Sequence, residues 1–331
     1  MGVESTEFFE HIDAFFDYRQ TIYQVSDQTL KSNRVDLELF QSFIQAGPFD
    51  TISGPAAMQF QYHLKNDRDN CGGSINRKIF TLRSYSHFLT LMDVLGAKEL
   101  PFYDVLKIRQ GYRNQPNALT VEQVCQLFAS IDRDTVLGIR DYAVFALMYQ
   151  TGLRVGEVHH LNMQSLDLEN SKLSVIGKGG KHRDLCLTGE LPRVLSEYLA
   201  MRDQFCQNDR ESALFISKKG NRLAIRTMQD NFKKLLTAAG LSLPFNVTCH
   251  SLRHSFASHL NDKDVDILVI QSLMGHASTR STTALYSPFA RKGEKRHGKA
   301  SGSHIHEPAY KKRCAETDLS ATSSATRIVL F

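Results

Sequence analysis

The sequence contains no CxxC pair, no Walker-type GxxxxGK[ST] loop and no acidic cluster of the kind that holds a pair of magnesium ions. Nor is there an apolar run long enough to span a membrane. Each absence removes a class of function. The 6 cysteines (71, 125, 186, 206, 249 and 314) are scattered, which argues against a zinc ribbon or a disulfide scaffold. Reduced, mostly buried thiols are expected instead. Without a Walker loop there is no basis for a nucleotide-hydrolysing motor, and "GKGGK" sits in a hairpin pattern, not between a strand and a helix. Without paired carboxylates a two-metal nuclease has nothing to hold its ions. The acidic, polar start "MGVESTEFFE" does not read as a signal peptide, so a cytoplasmic location is expected.

What is present suits a packed protein of about two domains. The chain has 331 residues, is 42% hydrophobic and carries a formal charge of +5, which permits nucleic-acid binding without requiring it. The pattern is mainly α. Val35, Leu37, Phe40, Phe43 and Ile44 form one apolar helical face. In "SINRKIFTLRSYSHFLTLM", Ile75, Ile79, Leu82, Tyr85, Leu89 and Met92 recur at steps of three and four. The opposite face carries Arg77, Lys78, Thr81, Arg83, Ser84 and His87, either as a solvated surface or as a helix that tracks phosphates.

"KIRQGYRNQPNALT" is polar, basic and broken by Gly111 and Pro116, which reads as an interdomain linker. Thr120 and Gln123 then have capping-box spacing, and "IRDYAVFALMYQTG" reads as a buried helix stopped by Gly152. Leu173, Val175 and Ile176, a glycine-rich turn, and Leu185 and Leu187 predict a β-hairpin with a basic tip. Helices resume to about Pro288. From Arg291 the chain becomes a basic, Ser- and Gly-rich tail expected to be mobile, ending in an apolar "RIVLF".

The densest chemistry is in "CHSLRHSFASHL", where His250, Arg253, His254 and His259 share one predicted helix. His250 and His254 have the i,i+4 spacing of a zinc-binding helix, but Ser251 stands where a zinc protease needs its Glu, and no third ligand has a convincing spacing. No metal is expected. His254 and His259 read as core or surface histidines. His250 and Arg253, three apart, put two donors on one face.

Their distant company gives the pair a meaning. "TGLRVGE" supplies Arg154 and Glu157, "GKGGKHR" supplies Lys178, "LMGH" supplies His276, and "TTALYSP" supplies Tyr286. Together with the "HSLRH" word, these motifs resemble, in order and in most spacings, the active site of the tyrosine recombinase or phage-integrase family, of the Xer-like type. The resemblance is strong over residues 118–289 and weaker over 30–112, which is similar to that family's helical core-binding domain.

The resemblance implies a division into residues 1–112 (helical, SAM-like core-binding domain), 113–118 (linker), 119–290 (integrase-type catalytic domain) and 291–331 (tail). It implies cleavage and rejoining of double-stranded DNA at a specific site through a 3′-phosphotyrosyl bond, with no metal, ATP or other cofactor. A homo-oligomer on DNA, a tetramer acting on two duplexes, follows from the same resemblance. So does a bacterial setting, nucleoid-associated or on a mobile element. Tyr286 would be the nucleophile, storing the bond energy covalently. Arg154 and Arg253 would hold the phosphate with permanent, forked charge. Lys178 would protonate the leaving oxygen, and His250 and His276 would bond the phosphate. Arg77, Lys78, Arg83, Lys181 and Arg183 are candidate DNA contacts. Glu157 is expected to orient the arginines or histidines. Thr248 fits an N-cap for the helix that carries His250. The gap from His276 to Tyr286 is one residue longer than the family pattern. A type IB topoisomerase-like activity and a non-catalytic DNA-binding relative remain alternatives.

Overall fold

The computed structural model describes residues 2–96, 101–109, 118–177, 180–204, 211–243 and 246–275. The expected linker, Lys178, His276, Tyr286 and the tail after Arg291 lie wholly or largely outside the described residues. The chain separates into two compact units, residues 1–113 and 114–331. Both are built mainly of helices, with short antiparallel sheets, in keeping with the mainly α reading.

The first unit opens with β1 (Val3–Glu4) and α1 (Ser5–Glu10), followed by α2 (Ile12–Thr21) and α3 (Asp27–Ala46). Then come β2 (Thr51–Ile52), α4 (Gly54–Asn66) and α5 (Gly72–Leu91). β1 pairs antiparallel with β2. The helices close on an aromatic core in which Phe40 meets Phe60 and Phe102 edge-on, with ring centroids at 4.9 and 5.2 Å. Tyr85 is fully buried and satisfies its hydroxyl by donating to the Phe8 carbonyl at 2.6 Å. The stripe on α5 packs as its period requires, except that Met92 falls beyond the helix end and is 47% exposed.

α3 departs from the expected pattern in an instructive way. Val35 is 59% exposed, while its neighbour Asp36 is completely buried. Asn33, Asp36, Phe40 and Ile44 share the inward face, so the helix turns a carboxylate into the core. Arg77 on α5 makes this tolerable, donating to both Asp36 oxygens at 2.5 and 2.7 Å, and the Thr81 hydroxyl donates at 2.9 Å. Thr81 was expected on a polar outer face and is instead buried.

The second unit contains α6 (Val121–Ala129), α7 (Val136–Thr151) and α8 (Val155–His160), then β3 (Leu166–Asp167), β4 (Lys172–Ile176) and β5 (His182–Cys186). It continues with α9 (Leu191–Arg202), α10 (Ile225–Ala238), α11 (Cys249–Asp262) and α12 (Ile267–Met274). The Thr120–Gln123 capping box forms in both directions. α7 is buried around nearly its whole circumference and ends at Gly152, whose φ of 64° is left-handed. A Cβ there would lie 2.6 Å from the Phe256 ring, so the stop and the close approach of α11 both require glycine. β4 and β5 form the predicted hairpin, pairing Val175 with Arg183 and Ile176 with His182.

α11 packs along α7, and His259 meets the buried Tyr149 hydroxyl at 2.8 Å, so of the core and surface readings His259 takes the core one. Of the cysteines described, Cys249 is buried, Cys125 half-buried, and Cys71 and Cys186 exposed. "Mostly buried" therefore overstates them: positions 71 and 186 precede a helix start and end an edge strand, where side chains meet water. No helix among the described residues is long and apolar enough to cross a membrane.

Candidate functional site

Three segments far apart in sequence converge beside the end of α7. The first is the sharp exit from Gly152. Arg154 is the N-cap of α8, and its backbone N–H donates to Glu157 Oε2 at 2.9 Å. Its Nη1 donates to Glu157 Oε1, also at 2.9 Å. The "RVGE" spacing thus lets Glu157 accept from both the backbone and the side chain of Arg154, which fixes the arginine at a helix start.

The second is the hairpin. Arg183 reaches from β5 and donates from Nη1 to Glu157 Oε1 at 3.1 Å and from Nη2 to Oε2 at 3.0 Å. The third is α11. Arg253 is 3% exposed; it donates to the Gly152 carbonyl and, at 2.7 Å, to the Met274 carbonyl, with Nη1 lying 3.9 Å from Glu157 Oε2. Arg154, Arg183 and Arg253 therefore surround one carboxylate.

That carboxylate is buried, which would raise its pKa, but the hydrogen bonds and charges of Arg183 and Arg154 outweigh burial and hold it below the usual range. Glu157 thus orients arginines, as its motif implied. Burial, reinforced by the charge of Arg154, lowers the Arg253 pKa to about 9, which still leaves it protonated at neutral pH. His250 stands at the surface of the first turn of α11, where Thr248 is the N-cap and its N–H donates to Ser251 Oγ at 3.2 Å. Partial burial of its ring, then the charges of Arg253 and Arg154, lower the His250 pKa, so it is mainly neutral at pH 7. A buried Arg253, a half-buried Arg154 and an exposed His250 thus gather beside one carboxylate, where cations outnumber anions.

The other sequence candidates divide. Lys181 is exposed at the hairpin tip. Arg77 is bound to Asp36, and Arg83 donates to the carbonyls of Phe102, Tyr103 and Val105. Arg183 is turned inward onto Glu157, with its side chain 15% exposed. Lys78 donates to Ser74 at 3.0 Å, and burial lowers its pKa. Charge and helical period identify a basic face; only packing shows that these arginines have intramolecular partners. His254 is half-buried, its ring 6.3 Å from that of His250 and edge-on. The partnership of Arg183 with Glu157 was not readable beforehand, because 26 positions separate the two.

Comparison with known proteins agrees with the geometry. Residues 117–291 match the phage integrase family. Tyrosine recombinase XerC of Alcanivorax borkumensis is 31% identical over 288 residues, 87% of this chain and 92% of that protein. Tyrosine recombinase XerD of Oceanobacillus iheyensis is 32% identical over 282 residues, 83% of this chain and 92% of its relative. Among solved structures, the XerH site-specific recombinase bound to a palindromic difH substrate superposes with a TM-score of 0.69 at 20% identity, covering 86% of this chain and 93% of that one. The Tn1549 transposon integrase in complex with transposon right-end DNA gives 0.67 at 17%, covering 83% and 94%. With a family match over more than half its length and relatives aligned nearly end to end, the chain belongs to the phage integrase family of tyrosine recombinases, enzymes that cut and rejoin DNA.

Proposed function

We propose that the chain is a site-specific recombinase in which Tyr286 attacks a DNA phosphodiester within the recess formed by Arg154, Arg253 and His250. Tyr286 gives its hydroxyl proton to one of the histidines His250 and His276, its oxygen bonds to phosphorus, the bond to the 5′-oxygen breaks, and Lys178 delivers a proton to that leaving oxygen. A 5′-hydroxyl attacking the resulting 3′-phosphotyrosyl bond reverses these steps and rejoins a strand without ATP. Arg154 and Arg253 neutralise the charge that gathers on the non-bridging oxygens, a task for permanent cations with forked donors. His250 and His276 bond the same phosphate, and a neutral His250 can accept a proton at one ring nitrogen while donating a hydrogen bond from the other. No metal is assigned a part, because the cationic side chains supply the electrophilic charge.

The convergence of Arg154 and Arg253 within 4 Å of the one Glu157 carboxylate carries this reading. Residues 119–290 would supply chemistry and part of the recognition, and residues 1–112 would act as a core-binding domain on the same DNA. Four protomers on two duplexes, working in a bacterial cytoplasm, complete the proposal. Lys181 is the exposed candidate for a backbone contact.

A suicide substrate tests it. A nicked duplex carrying the selected target site is incubated in EDTA with wild type and with Tyr286→Phe. The expected result is a denaturant-resistant protein–DNA adduct from wild type alone. Tight binding with no adduct from either protein would overturn the cleavage reading.

A further inference from the structure

Arg183 was a candidate DNA contact, and its surroundings assign it a different task. Glu157 Oε1 accepts from Arg154 Nη1 and Arg183 Nη1, and Oε2 accepts from the Arg154 backbone N–H and Arg183 Nη2. A carboxylate offers about four acceptor positions, so these bonds fill it. Arg253 is left at 3.9 Å, with its donors directed to the Gly152 and Met274 carbonyls instead.

The guanidinium of Arg183 also lies against two glycines. A Cβ on Gly177 would come within 3.1 Å of Nη1, and a Cβ on Gly275 within 2.8 Å of Nη1 and 3.0 Å of Cζ. Gly275 has a φ of 63° and caps α12; Gly177 closes the hairpin tip by donating to the Lys181 carbonyl at 2.8 Å. In the sequence these glycines immediately precede His276 and Lys178. One side chain thus touches the carboxylate that holds Arg154, the hairpin tip and the end of α12.

We infer that Arg183 is a positioning residue for the cleavage proposed above: it saturates Glu157 so that Arg253 stays off that carboxylate and the anion recess stays open, and it docks the hairpin against the α12 terminus. Without Arg183, Glu157 has two empty acceptor positions, and Arg253 is the nearest cation able to fill one. The recess then closes on its own counter-ion, and cleavage falls although the DNA-contacting surface is unchanged. The inference rests on the recombinase reading.

The test measures single-turnover cleavage of the suicide substrate at saturating protein, together with DNA affinity across a salt series. The proteins are wild type, Arg183→Ala, Arg183→Lys, Glu157→Gln and the Arg183→Ala/Glu157→Gln double variant. All are kept well below their melting temperatures, with folding checked by circular dichroism. Arg183→Ala is expected to lower the saturated cleavage rate by ~10- to 100-fold, with affinity and the slope of log K against log salt unchanged. Arg183→Lys restores part of the rate, because it keeps the charge and loses the fork. In the Glu157→Gln background the Arg183 substitution costs less than alone, because the carboxylate it was saturating is gone.

A salt slope reduced by about one, with weaker binding and an unchanged saturated rate, would make Arg183 a phosphate contact and overturn the inference. So would rate losses that simply multiply in the double variant. If Arg183→Ala fails to fold, the comparison of Arg183→Lys with and without Glu157→Gln decides the same question. The salt slope is read on binding alone. A wild type that bound DNA and formed no adduct would therefore sink the cleavage reading, while a lowered slope would still separately count against a positioning role.

Discussion

Each unit of the protein buries a carboxylate against arginine, and the two clusters have opposite consequences. In the first unit Asp36 meets Arg77, with Thr81 completing its hydrogen bonds. The charges match, nothing is left over, and the cluster locks α3 to α5. In the second unit Glu157 has Arg154, Arg183 and Arg253 within 4 Å. One negative charge against three positive ones leaves an excess that no other ion pair among the described residues cancels. Balanced pairs hold structure together; an unbalanced one stores attraction for an anion that arrives from outside. Buried ion pairs contribute little net stability by themselves, so an excess of cations, held at some cost, is the stronger sign of a site.

The largest effect should come from removing the forked donor at the centre of that excess. Arg253→Lys keeps the charge but loses the fork that reaches both the Gly152 and Met274 carbonyls, and single-turnover cleavage is expected to fall by ~10²- to 10³-fold. Loss of the balanced partner should act on folding. Arg77→Met leaves the Asp36 carboxylate buried and unpaired, at a cost of about 3 kcal/mol in denaturant unfolding. A cost below about 1 kcal/mol would mean that water reaches Asp36, and the contrast between the clusters would weaken.

Next is the turn that supports the unbalanced site. Gly152→Ala forces a Cβ into left-handed backbone and toward the Phe256 ring, and should cost about 2 kcal/mol in the same unfolding measurement. A pH effect of similar origin is expected in the second unit. His250, His254 and His259 all have pKa values lowered by burial from 6.5. Below that value the unfolded chain takes up protons that the folded state resists. Stability is therefore retained above about pH 6.5 and lost as pH falls through it. Melting temperatures measured from about pH 7.5 to 5 should show the decline, and His259→Gln should make it shallower. The smallest effect should be at the exposed hairpin tip. Lys181→Ala is expected to weaken DNA binding a few-fold and to reduce the salt slope by about one. An Arg183 substitution would leave that slope alone, so the pair separates surface charge from internal charge.

Much of this architecture was readable locally. The Thr120–Gln123 cap, the Gly152 stop, the glycine-rich hairpin turn and the stripe from Ile75 to Leu89 all depend on residues within a few positions of one another. Short-range backbone and side-chain geometry determines such features, so a single chain states them without its partners. The order of Arg154, His250 and Arg253 within their motifs was legible for the same reason, and it led to the family before any packing was known.

The fates of the charged residues were not legible. Asp36 and Arg77 are 41 positions apart, Glu157 and Arg183 are 26 apart, and Arg253 reaches a carbonyl 101 positions away. Helical period marks Val35 as core and Arg77 as surface, yet the fold exposes the valine and ties the arginine to a buried acid. The sequence by itself determined where helices and turns begin and end, and which words of the family it carries. Only the tertiary structure decided which cations are cancelled and which remain, because a charge acquires its meaning from the groups opposite it, and those arrive only when distant segments pack.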